Sequence, residues 1–122
     1  MKKYSRQVKD RLSDQLKDEK VKFLDIVLEN YMVDMLLGDN RRWPIKWMKM
    51  TFNPSDDLSH TVMLLKEIFP KEKWELKCEE PGLIYTAWVS AEENSVFAHT
   101  EARALCLAIW NCWRLQNDSP DE

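Results

Sequence analysis

Three cysteines and two histidines are the side chains of this 122-residue chain best suited to bind a soft metal or attack an electrophile. A zinc site takes Cys and His ligands in closely spaced pairs. Cys78, His60 and His99 have no such neighbour, and Cys106 and Cys112 stand six residues apart, on different sides of a helix. The spacing therefore predicts no metal site. A thiol nucleophile would combine Cys106 or Cys112 with His99 as base. His99 precedes a predicted helix, whose positive end should hold the imidazole neutral. Cys106 lies deep in an apolar stretch, where thiolate is disfavoured. The paired carboxylates Asp56-Asp57 and Glu92-Glu93 fall at a helix start and a turn tip, where dipole and solvent account for them. No nucleophile elbow, HExxH, P-loop or dinucleotide fingerprint occurs. The expectation is a chain without catalytic residues, metal or cofactor.

Contact chemistry is better represented. Arg41, Arg42, Lys46 and Lys49 interleave with Trp43, Trp47 and Met48, a composition that suits a protein hot spot or base stacking. These basic and Trp residues are the candidate partner-binding set, with closure of the core as the other role for at least one Trp. The N-terminal basic groups (Lys2, Lys3, Arg6, Lys9, Arg11, Lys17, Lys20, Lys22) are interrupted at helical spacing by Asp10, Asp14 and Asp18, the pattern of a solvated, charge-paired helix. Tyr31, Met32, Met35 and Leu36, together with Trp113, could form an oligomer contact or pack on their own domain. Trp74 and Trp110 are expected in the core. Trp88 should point away from Tyr85 and Ala87, and an exposed Trp88 or Trp113 would mark an interface.

The elements that must position these residues are legible from periodicity. Apolar residues at Val8, Leu12 and Leu16, then at Phe23/Leu24, Val27/Leu28, Tyr31 and Met35, predict helix over residues 4–37 in one piece or two, with a solvated break at Lys17-Asp18-Glu19-Lys20 and a stop at Gly38. Residues 41–52 read as a connector. Asn53 and Pro54 then start a helix carrying Leu58, Val62, Leu65 and Phe69 on one face, ended by Pro70. Residues 72–79 alternate strictly, with Trp74, Leu76 and Cys78 on one face and Lys73, Glu75, Lys77 and Glu79 on the other, as in a half-buried strand. Glu80-Pro81-Gly82 turns the chain into a more apolar strand over 83–89, and 96–98 adds a short third strand. The loops are too short for crossovers, so the pairing is antiparallel. A helix from Thr100 to about Leu115 is apolar on almost every side and must be buried on more than one.

The fold class that follows is α/β in the α+β sense. A helical arm (1–40) and a Trp-rich connector (41–52) precede a helix-strand-strand-(strand)-helix sandwich (53–116) with a small antiparallel sheet, and a polar tail (117–122) follows. The chain is long enough for one domain. Charge is uneven: residues 1–61 carry 12 basic and 10 acidic groups and residues 62–122 carry 6 and 11, so nucleic acid is not the expected partner of the whole chain. An odd number of cysteines without CxxC spacing argues for reduced thiols. With no signal-like or membrane-spanning apolar run, the expected location is the cytosol.

Residues 53–116 resemble a family of small bacteriophage proteins with an ABA-sandwich domain. The resemblance lies in Asn53-Pro54-Ser55-Asp56-Asp57 with Val62-Met63-Leu64-Leu65, in the Lys73–Leu76 and Ile84–Trp88 strands, and in the closing helix from His99 to Trp110. Thr100, Ala104, Leu105, Cys106 and Ala108 match the family's threonine-led helix, while Glu101 stands where the family has proline. It covers about half the chain and brings no catalytic residues. It implies a phage or prophage origin. The function expected is non-enzymatic binding and inhibition of a host protein, such as a component of a defence system like CRISPR. The alternative is an accessory nucleic-acid binder using the basic arm and Arg41–Lys49. A homodimer is compatible with either.

Overall fold

The computed structural model describes residues 6–38, 42–90 and 95–117. Its element order is α1 (Arg6–Lys17), α2 (Ile26–Leu37), α3 (Ile45–Met48), α4 (Leu58–Ile68), β1 (Trp74–Glu80), β2 (Ile84–Val89), β3 (Val96–Ala98) and α5 (Glu101–Asn117). The strands form one antiparallel sheet in the order β1-β2-β3. The architecture is the expected α+β layout, a small sheet and helices around one core.

The helical segment at the N-terminus divides in two. Asp18 to Asp25 leave the helix, and Asp25 restarts it by accepting from the backbone N–H groups of Val27 and Leu28. Gly38 closes α2 at a φ of +85°, a conformation L-residues resist. Within the connector, Pro44 caps a single helical turn, α3. The start of α4 departs from expectation. Asn53 to Asp56 form a turn whose N–H groups at Asp56 and Asp57 bond back to the Asn53 carbonyl, and Asp57 is the cap instead. Its carboxylate takes the N–H groups of Ser59 and His60 and the Ser59 hydroxyl, which hold it below its ordinary pKa. Thr100 caps α5 by accepting from the Arg103 N–H.

Helix α5 is the centre of the molecule. Ala102 to Trp110 are all buried, because α5 packs on the sheet with one side and on α1 and α4 with others. Leu12 and Leu16 of α1, Met32 and Val33 of α2, Leu64 and Leu65 of α4 and Ala87 and Val89 of β2 meet Leu105, Ile109 and Trp110 in one apolar cluster. The N-terminal helices therefore belong to the same core as residues 53–116. Trp110 donates its indole N–H to Ser13 Oγ at 2.9 Å, and Arg114 bonds the same oxygen at 2.9 Å and Asp10 at 3.0 Å, tying α1 to the end of α5.

The sheet is covered unevenly. Val89 and Ala87 of β2 are buried, whereas every residue of β1 except Leu76 is exposed. Trp74, expected in the core, is 39% exposed, because the strand that carries it overhangs α5. Trp88 does point away from Ala87 and bonds Glu75 Oε1 on the outer face.

Candidate interaction surface

Two clefts meet at the break between α1 and α2. One, of about 540 Å³, lies between that break and the β3–α5 junction and is lined by Leu16, Glu19, Phe23, Phe97, His99 and Arg103 among others. The second, of about 430 Å³, lies between the start of α2 and the connector, lined by Phe23, Ile26, Glu29, Met48, Met50 and Phe52 among others. Phe23 and Asp56 line both.

The rims are apolar and open to solvent. Phe23 is 72% exposed, Phe97 67%, Ile26 66% and Met48 69%, so that large apolar side chains stand together in solvent around the two clefts. The floor between the clefts is polar and buried. Glu29 accepts from the hydroxyl of Ser55 at 2.6 Å and from its N–H at 3.1 Å. Burial pushes the Glu29 carboxyl above its ordinary pKa, opposed by the bonds to Ser55 and by the Arg103 charge. Arg103, also buried, donates to the backbone carbonyls of Ser55, Gln15 and Lys22. One guanidinium thus ties α5 to the end of α1, the break and the start of α4. A planar fork of fixed donors suits three carbonyls in different directions better than an ammonium would.

His99 spans the mouth of the larger cleft. Its Nε2 lies 2.6 Å from Glu19 Oε2 and its Nδ1 2.6 Å from the Leu83 carbonyl. Both partners are acceptors, so the ring satisfies them only with a proton on each nitrogen, and the two bonds raise its pKa. The expectation that the helix end would hold His99 neutral is thereby corrected: the Glu19 carboxylate outweighs the partial charge of the α5 terminus. Neither ring nitrogen bonds a thiol among the described residues. Cys106 is buried against Met32 Sδ at 3.7 Å, and burial pushes its thiol well above the ordinary value. Cys112 is buried and accepts from Gln116. The Cys–His pair is not assembled, and among the described residues no group of three His, Cys, Asp or Glu could hold a metal ion.

The sequence candidates fall on both sides of the surface. Arg41 lies outside the described residues. Arg42, Lys46 and Lys49 are exposed. Trp43 is half-buried and donates its indole N–H to Asp34. Trp47 is 2% exposed and stacks on Phe52 at 4.2 Å between ring centroids, so it closes the core and is not available to a partner. Met32, Met35 and Leu36 are buried in the chain's own core and Tyr31 packs against it, which removes the α2 stripe as an oligomer contact. Trp113 is half-buried between Trp110, stacked at 5.3 Å, and the Lys9 ammonium, 5.6 Å from its ring. The sequence reading missed the rim. Phe23 and Val27 were placed on the buried stripe with Leu24 and Leu28. Phe23 and Leu24 lie in the break before α2, and Val27 and Leu28 in its first turn, where the outer side faces solvent; Leu24 and Leu28 turn into the core, and Phe23 and Val27 stay in solvent.

Against known protein families, curated proteins and solved structures, the chain matches none. No helix among the described residues is long and apolar enough to cross a membrane.

Proposed function

We propose that this chain is a non-enzymatic binding protein that docks on a protein partner through the apolar rim around Phe23. In the form we favour, it is a phage-encoded inhibitor of a host protein, acting in the host cytosol. The observation that carries the docking reading is the concentration of Phe23, Ile26, Met48 and Phe97 at high exposure around two adjoining clefts. Large apolar side chains clustered on a surface mark contact sites, and a buried polar floor keeps the rim in place without the partner. The inhibitor reading rests on the resemblance of residues 53–116 and on the lack of an assembled nucleophile.

The test is affinity capture from bacterial lysate with the wild type beside a Phe23→Ser/Phe97→Ser variant. A host protein retained by the wild type and lost with the variant supports the reading. Equal retention by both, or no retained protein, sinks it. A second reading, nucleic-acid binding, draws on the exposed Arg42, Lys46 and Lys49. It requires a mobility shift at low salt that Lys46→Glu/Lys49→Glu removes, since phosphate contacts are strongest there.

A further inference from the structure

Among the described residues, strand β1 is an edge strand with nothing beyond it in the sheet. The Ser90 N–H bonds the Lys73 carbonyl at 2.7 Å, so Lys73 directs its backbone toward the β2 side. Alternation along an antiparallel ladder then turns Glu75 and Lys77 the same way, and leaves the N–H and C=O groups of Trp74, Leu76 and Cys78 pointing off the free edge. Such a row templates another strand.

We infer that β1 pairs with β1 of a second copy of this chain, antiparallel and centred on Leu76 against Leu76, joining two three-stranded sheets into one of six. The charge pattern selects both the partner and the register. In this register, Glu75 faces Lys77 of the second copy and Lys73 faces Glu79, each pair occurring twice by symmetry. Moving the centre to Glu75 sets Glu75 against Glu75 and Lys73 against Lys77. Moving it to Lys77 sets Lys77 against Lys77 and Glu75 against Glu79. Like charges directly opposite destabilise a ladder, and opposite ones stabilise it. The side chains are placed to do this. Glu75 bonds Trp88 and Glu79 bonds Thr86, both on the outer face. Lys77 and Glu75 form an exposed ion pair at 3.7 Å, with 60% and 45% of their side chains in solvent, open to the charges of a facing strand. On the other face, Trp74, 39% exposed, comes opposite Cys78 of the second copy, which is also exposed. The pairing therefore covers apolar surface that α5 does not reach. A three-stranded sheet with a bare edge gains most from such an extension, and the irregularity between Cys78 and Glu80 sets the regular ladder at Trp74 to Cys78 of each copy, with the Lys73–Glu79 pairs flanking it.

Sedimentation velocity over a concentration series tests this with Lys77→Glu and Glu75→Lys. The wild type should dimerise. Each variant alone places two like-charged pairs in the interface and should raise the dissociation constant about tenfold or more. An equimolar mixture of the two variants restores opposite charges at both pairs and should recover wild-type association as a heterodimer. Circular dichroism checks that each variant is folded. Should Glu75→Lys unfold by losing its Trp88 bond, Lys73→Glu and Glu79→Lys form the equivalent mixing pair. A wild type that stays monomeric into the millimolar range, a dimer indifferent to these charges, or variants that fail to pair on mixing would each overturn the inference.

Discussion

Trp110 and Trp74 lie on two flanks of the molecule with opposite outcomes. Trp110, on the helical flank of α5, is fully buried, hydrogen-bonded to Ser13 and stacked on Trp113. Trp74, at the start of β1, keeps 39% of its surface in water. The helical flank closes on itself, with Leu12, Met32, Leu64 and Ile109 excluded from solvent altogether. The β1 flank leaves a backbone edge and an apolar side chain uncovered. Stability is concentrated where three helices converge on α5, and the regions left open, β1 and the Phe23 rim, are those free to contact something else.

The strongest way to break that comparison is truncation on each side. Trp110→Ala should lower unfolding free energy by roughly 3–5 kcal/mol, as expected for an aromatic side chain removed from a closed core. Trp74→Ala should cost less than about 1 kcal/mol. Urea denaturation of both measures the difference, and equal costs would mean that the β1 flank is as integral as the helical one. Arg103→Met comes next, at on the order of 3 kcal/mol, because it strips buried carbonyls of Ser55, Gln15 and Lys22 of their donor. Here the break between α1 and α2 should exchange amide hydrogen faster than α5 does. If the protection of residues 18–25 is unchanged, Arg103 is not what holds the clefts in shape.

Asp57→Ala, removing the α4 cap, should cost about 1 kcal/mol. The folded carboxylate's pKa is lowered, chiefly by the Ser59 hydroxyl. Its contribution is thus present above the unfolded pKa and lost as pH falls through the folded one. The smallest effect is expected at His99. Its folded pKa is raised, first by Glu19 and then by the Leu83 carbonyl. The stabilisation is therefore complete below the unfolded histidine value of about 6.5 and disappears as pH rises through the folded value. An NMR titration of His99 should show the upward shift, and Glu19→Gln should reduce it. A His99 titrating at the ordinary value in the wild type would remove the latch across the larger cleft.

Much of the fold could be read from the chain because periodicity reports burial of whole elements. The alternation Lys73 to Glu79, the turn at Gly82 and the all-round apolarity of α5 each correspond to an observed element. The surface was far less legible. Phe23 beside Leu24, or Trp47 beside Met48, gives the sequence pattern two apolar neighbours and no means of choosing between them. The choice falls to packing: Leu24 and Trp47 turn inward, Phe23 and Met48 outward. Glu29 and Arg103 were also opaque, since a charged residue within a helix reads as solvated until a distant Ser55 or three carbonyls are folded against it.

By itself, the sequence determined the order and type of the elements other than α3 and the antiparallel pairing, because these depend on local spacing and residue type. Only the tertiary structure decided which half of each apolar pair stays in water, that His99 sits between two acceptors, and that β1 is left exposed while its neighbour β2 is covered by α5. Those outcomes depend on which surfaces meet across long sequence separations, where Glu19 reaches His99 and Glu29 reaches Ser55. Local periodicity carries no information about such meetings.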